Sequence, residues 1–312
     1  MQKILKIINH RDFVLSLSVV VGLLLGKHTR FLADISLYIL MSAMIVSTIS
    51  FSFKSWKNLS SLVRPLVGSF LLTYVLYGLV VLIVAWSFFY VTGYESLWIG
   101  FVIITAAPPG PAVIPFSAML NGDNNFSTTG LLAMYLLAMI MAPTILFVFI
   151  GSALISPLMI FWIMLQVIII PLIVSRFARH SKILPKAQKA GGALIKWLFF
   201  LIITPIVGMN RNVFFEEPSI LLMTALVFII IMFLIGFIYN LVAVRAGLSR
   251  SLIISSTFML TIKSAAFAAV VAFRFFEDEP VVAIPAAVLS VFIVLFAVFY
   301  SLFVKHIMKW KE

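Results

Sequence analysis

Chemistry in this chain turns on one lysine and one run of prolines. Lys263 lies in the middle of an apolar stretch, among Phe258, Met259, Leu260, Ala265, Ala266 and Phe267. A lysine at the centre of a bilayer costs about 2.5–3.5 kcal/mol on insertion scales and by default faces a cavity or a partner. No carboxylate stands beside it. Asp12, Asp34, Glu95, Asp123, Glu216, Glu217, Glu277, Asp278, Glu279 and Glu312 all fall at the ends of apolar stretches or between them. Two roles are open to Lys263. It can bind an anion or carry a proton, its charge destabilised by burial. Or it can be a fixed tether that satisfies backbone carbonyls freed by a broken helix. The broken helix is visible in Ala107-Pro108-Pro109-Gly110-Pro111, with Pro115 following. Three prolines in four residues remove backbone donors and clash with the preceding turn, so a helix must open there.

The elements that position these residues follow from composition. Of 312 residues, 63% are hydrophobic and 10% charged, with a mean hydropathy of +1.21. Water-soluble domains run at about 45–50% apolar and about 25% charged, so this is an all-α, polytopic membrane protein. Apolar stretches long enough to span, or nearly so, can be marked at 13–29, 33–53, 66–91, 97–120, 126–151, 153–176, 193–209, 219–244, 250–276 and 281–304, which predicts ten transmembrane helices. An even number puts both termini on one face. That face holds Lys3, Lys6, Arg11, Lys54, Lys57, Arg64, Arg176, Arg179, Lys182, Lys186, Lys189, Lys196, Arg245, Arg250, Lys305, Lys309 and Lys311. The other has Lys27, Arg30, Arg211 and Arg274. The positive-inside rule makes the first face cytoplasmic. The net charge of +12 then reads as topology, with anionic lipid as a partner of the 176–196 loop, rather than as nucleic-acid binding.

The stretches repeat at an offset close to half the chain: 66–91 matches 219–244, 97–120 matches 250–276, and 126–151 matches 281–304. Five spans per unit reverse the second unit, giving a 5+5 inverted repeat. Such repeats mark secondary transporters, with the substrate held at the midplane between discontinuous helices. The point matching the proline run is Thr261-Ile262-Lys263-Ser264-Ala265, so a second break is expected there although it has neither proline nor glycine. Thr105, Ser117, Ser127, Thr128 and Thr129 can line the cavity or bond their own backbone. Asp123 reads as an N-cap for the fifth span or as part of a cytoplasmic mouth.

Ala107-Pro108-Pro109-Gly110, Asn121-Gly122-Asp123 and Phe126-Ser127, with Arg64-Pro65 and the stretch 257–273, resemble the bile acid:sodium symporter family. The resemblance implies two broken, crossing helices, the fourth and the ninth. It implies a panel domain (1–61 and 152–212), a core domain (62–151 and 213–312) and alternating access. It also implies where sodium would bind, and there the chain departs. The Ser-Asn pair of the family falls on Val113 and Ile114, the glutamate on Phe258 and the Gln-Asn pair on Ile262 and Lys263. Ser127 keeps one hydroxyl, and the next position on its face is Leu131. A cage without its carboxylate and most of its oxygens does not hold sodium. A lysine stands where the cation would be, which points to proton coupling or to uncoupled transport, with no cofactor and no metal.

Enzyme classes lack their residues. There are no paired membrane aspartates, no G-x-S-x-G and no H-E-x-x-H, and His10, His28, His180 and His306 are scattered. The expected substrate and coupling residues are Lys263, Thr261, Ser264, Thr105, Pro108, Pro109, Gly110, Pro111, Ser117, Ser127 and Thr128. The expected protein is a carrier of a small or amphipathic organic anion in the cytoplasmic membrane. A sodium-coupled symporter and a non-transporting receptor or scaffold are the alternatives, and saturable, competable flux separates a carrier from a channel or scaffold.

Overall fold

The structure, a computed structural model, describes residues 11–48, 59–151, 156–178, 184–216 and 218–308. Lys3, Lys6, Lys54, Lys57, Arg179, Lys182, Lys309 and Lys311 lie outside the described residues. The described residues form helices: α1 (Arg11–Leu25), α2 (Ser36–Thr48), α4 (Glu95–Ala106), α5 (Val113–Met119), α8 (Leu184–Met209), α10 (Arg250–Thr261) and α11 (Ala265–Phe275). Five more are both long and apolar throughout: α3 (Leu62–Tyr90), α6 (Asn124–Ile150), α7 (Leu158–Phe177), α9 (Pro218–Arg245) and α12 (Pro280–Ile307).

By length and apolarity, these five can each cross a membrane, and a sixth span results if Leu17–Asp34 and Ser36–Val46, bent by 72°, count together. The sequence expected ten. Two of the missing spans lie in the breaks, which divide 97–120 into α4 with α5 and 250–276 into α10 with α11, each half too short to cross alone. The first two stretches form the bent pair, and in the seventh the apolar helix is the short Trp197–Met209. Large apolar side chains face outward all round, among them Leu79, Ile83, Ile140, Val148 and Leu222, each more than half exposed. Water would not tolerate such a surface, and hydrocarbon does.

The helices pack in two groups. In one, α8 lies along α1 and α2, and α7 lies against α2 while its first half also packs on α6 of the other group. The approach of α1 to α8 is close enough that a Cβ on Gly22 would stand 2.7 Å from the Thr204 carbonyl, as small residues permit between membrane helices. In the other group, α3, α4, α5 and α6 pack together and meet α9, α10, α11 and α12. A column of rings ties this second group: Phe89 lies 5.3 Å from Phe101, which lies 5.2 Å from Phe228, which lies 5.6 Å from Phe292.

The ends of the bundle can be told apart from contacts. Ser96, at the start of α4, reaches Glu279 before α12, and Trp98 meets Phe149 at the end of α6. Asn121–Asp123 lies at the opposite end, where the Asp123 N–H donates to the Ser251 carbonyl. Arg30, Arg211 and Arg274 therefore sit towards one end, and Arg64, Arg176, Arg245, Arg250 and Lys305 towards the other.

Candidate functional site

The two breaks meet. After α4 the chain turns extended at Ala107, and after α10 it does the same at Ile262. Pro109 and Lys263 then pair as a short antiparallel bridge. The Gly110 N–H donates to the Ile262 carbonyl at 3.1 Å, and the Ser264 N–H donates to the Pro108 carbonyl at 2.9 Å. Backbone groups left over by each break thus satisfy the other, which irregular backbone at membrane depth requires. The break at 262–264, inferred from the repeat alone, is present. Ser264 restarts the helix as its N-cap, accepting a hydrogen bond from the Phe267 N–H at 3.3 Å.

The Lys263 side chain is fully buried. Its ammonium donates to the Thr105 carbonyl at 2.9 Å and to the Ala107 carbonyl at 2.6 Å. It also stands 4.5 Å from the centre of the Tyr74 ring and 5.6 Å from that of Tyr77, within cation–π range. The choice of carbonyls follows from the prolines. In a continuous helix the Thr105 carbonyl would accept from residue 109 and the Ala107 carbonyl from residue 111. Both positions are proline and have no N–H. The ammonium supplies the donors that Pro109 and Pro111 withhold. It also sits where the C-terminal ends of α4 and α10 converge, each carrying about half a negative charge.

Gly110 lets the strands approach. A Cβ there would lie 3.0 Å from the Lys263 carbonyl and 3.2 Å from Ile262 Cγ2. Gly110→Ala is expected to lower the midpoint of thermal unfolding by a few degrees, for a loss of about 1–2 kcal/mol. Tryptophan fluorescence reads this directly.

The remaining sequence-expected residues divide by what their side chains touch. Ser117 and Ser127 enter a second buried cluster, near the Asn121–Asp123 end. Ser117 Oγ lies 2.6 Å from Ser255 Oγ and 2.8 Å from Ser127 Oγ, and the Ser127 and Ser255 hydroxyls each stand 3.0 Å from the Asp123 carbonyl. These hydroxyls use their hydrogen bonds on one another and on α5, α6 and α10. Asp123 caps α6, its carboxylate accepting from the Phe126 N–H at 2.9 Å. The hydroxyls of Thr105, Thr128 and Thr261 turn back to their own helices, bonding the carbonyls of Phe101, Asn124 and Thr257. Pro111 begins the turn into α5. Phe258, where the resemblance puts a glutamate, is buried between the rings of Phe116 at 5.7 Å, Tyr300 at 5.2 Å and Phe296 at 6.2 Å.

Three participants escaped the sequence reading. Tyr74 and Tyr77 share a helix face by their three-residue spacing, but nothing local couples that face to residue 263. Ser255 stands one turn before Phe258 on the face of α10 turned to α5, and only the alignment of two helices reveals it.

Two broken helices crossing inside a bundle of apolar helices, with a charged group at the crossing, define a membrane transporter of the discontinuous-helix class. A model of the sodium bile acid symporter family matches residues 35–217, more than half of the 312-residue chain, and the chain belongs to that family. Comparison with curated proteins finds no match.

Proposed function

We propose that this member of the family carries its cargo by alternating access without sodium, the Lys263 ammonium standing permanently where a coupling cation would bind. The observation that carries this reading is the ammonium itself, bonded to the Thr105 and Ala107 carbonyls and facing Tyr74. It neutralises the negative ends of α4 and α10 as a bound cation would. The replacement of the family's other sodium ligands by Val113, Ile114 and Phe258 supports it further. Of the two roles open to Lys263, the geometry favours the tether. The ammonium has three protons, and two carbonyls and a ring face already engage it, so none is left for substrate.

The rest of the reading is ten spans in a 5+5 inverted repeat, counting α4 with α5 and α10 with α11 as one broken span each. The group α1, α2, α7 and α8 is the panel, and the group α3–α6 and α9–α12 the core. The excess of basic residues on the face of the termini supports cytoplasmic termini, in a protein of the cytoplasmic membrane. The cargo is a small or amphipathic organic anion. With the two C-terminal helix ends neutralised by Lys263, the N-terminal end of α11 keeps its positive character at the crossing. No enzymatic step is proposed.

Flux of radiolabelled cholate, as an amphipathic anion probe, into vesicles containing the purified protein tests the coupling. Equal saturable uptake under sodium and potassium gradients is expected. Uptake driven only by a sodium gradient would favour the sodium-coupled symporter instead.

A further inference from the structure

We propose that Arg30 and Glu277 form a latch that holds the two helix groups together at one mouth of the molecule and must open in each transport cycle. Arg30 opens the helical turn Arg30–Asp34 between α1 and α2. Its guanidinium bonds the carboxylate of Glu277, in the loop between α11 and α12. The pair joins residues 247 positions apart, one from each group. The same loop is fastened on its far side, where the Ser96 hydroxyl donates to Glu279 at 3.0 Å. The loop is thus anchored to α4 within its own group and reaches across to the other through Arg30.

Among the described residues, packing of the two groups is concentrated at this end. α11, buried from Ala265 to Phe273, lies against Arg30–Asp34, α2 and α8, and α8 also meets α12. At the opposite end, among the described residues, the half-helices α5 and α10 pack on each other and on α6, and α10 also on α3 and α9, all within one group. There Pro115, Ala118 and Met119 are exposed, Met119 to 75%. Among the described residues, the two groups meet at the Arg30–Glu277 end.

An exposed ion pair suits a latch. Both side chains are more than half exposed, and such pairs contribute little and are screened by salt. Each can therefore break without stalling the cycle, and it biases the closed state without fixing it. This inference rests on the transport reading above only for the role of opening. The latch itself is tested apart from transport.

Hydrogen exchange of the full chain in lipid nanodiscs reads the closed mouth. Arg30→Glu sets two carboxylates against each other and is expected to speed exchange in 30–34 and 265–275 about three-fold, leaving 250–261 unchanged. Arg30→Glu with Glu277→Arg is expected to restore the wild-type rates. Unchanged exchange in the single variant, or no restoration in the double, overturns the latch. The chain has no cysteine, so Arg30→Cys with Glu277→Cys can be joined by a bis-maleimide without side reaction. Joining them is expected to cut cholate flux at least about ten-fold, while single-cysteine variants treated alike keep theirs. Full flux in the joined protein overturns the opening step. Absence of flux in the wild type counts against the transport reading, and the exchange experiment then decides the latch alone.

Discussion

Lys263→Met is expected to lower the stability of the protein by about 3 kcal/mol and to reduce flux by at least ten-fold. Methionine fills most of the space but donates nothing, leaving the Thr105 and Ala107 carbonyls without the partner they have in the native protein. Each orphaned buried acceptor costs about 1–3 kcal/mol. Removing the buried charge recovers part of that, since a lysine at this depth is itself expensive. The loss wins because the native ammonium is fully engaged, so its desolvation is already compensated. The unfolding midpoint should fall by about 5–10 °C, read from the fluorescence of the six tryptophans. A second set of variants tests the cause. In the Lys263→Met background, Pro109→Ala and Pro111→Ala return the N–H groups that a helix would offer these carbonyls. Stability should then recover in part while flux does not, because the crossing is replaced by continuous helix. A Lys263→Met protein as stable as wild type would mean that the carbonyls find donors elsewhere.

Phe258→Glu is expected to cost at least about 4 kcal/mol and to bring no response to sodium. The phenylalanine is 1% exposed and wedged among Phe116, Tyr300 and Phe296. A carboxylate there loses the ring's packing and must be buried unpaired or protonated. Nearby oxygens do not rescue it. The hydroxyls of Ser117, Ser127 and Ser255 are bonded to one another, and Val113 and Ile114 bring no side-chain oxygen. Phe258→Leu, which keeps an apolar filling, should cost about half as much. A sodium-specific rise in the unfolding midpoint of Phe258→Glu would show that the cage is only one residue from working.

The break in the first half of the chain was readable because proline announces itself: Pro108, Pro109 and Pro111 cannot continue a helix. The matching break at Ile262–Ser264 carries no such residue. It was reached through the spacing of the apolar stretches, and what opens it is partly the strand pairing with Pro108 and Gly110, a tertiary effect. Lys263 stood out because a lone charge in an apolar run has no other explanation. Its partners were half legible, since the four-residue rule applied to Pro109 and Pro111 points to Thr105 and Ala107. Tyr74 and Tyr77 were not, since their contact to the ammonium depends on how α3 lies against α4. Hydroxyls divided in a way that sequence does not decide. Ser117 and Ser127 look outward from their helices to each other, whereas Thr105, Thr128 and Thr261 bond their own turns, as β-branched hydroxyls in apolar helices readily do. Spans were the weakest inference by length alone, because a helix broken at its middle presents two pieces that each fall short of a membrane's thickness.

The most direct measurement of the central claim, that an ammonium occupies the place of the coupling cation, is the thermal unfolding of the purified wild-type protein in sodium, potassium and choline chloride at equal ionic strength. Something that binds the folded state raises the midpoint with its concentration. With Lys263 already in place, the three unfolding curves should coincide across the titration. A midpoint that climbs with sodium and not with potassium or choline would contradict the account.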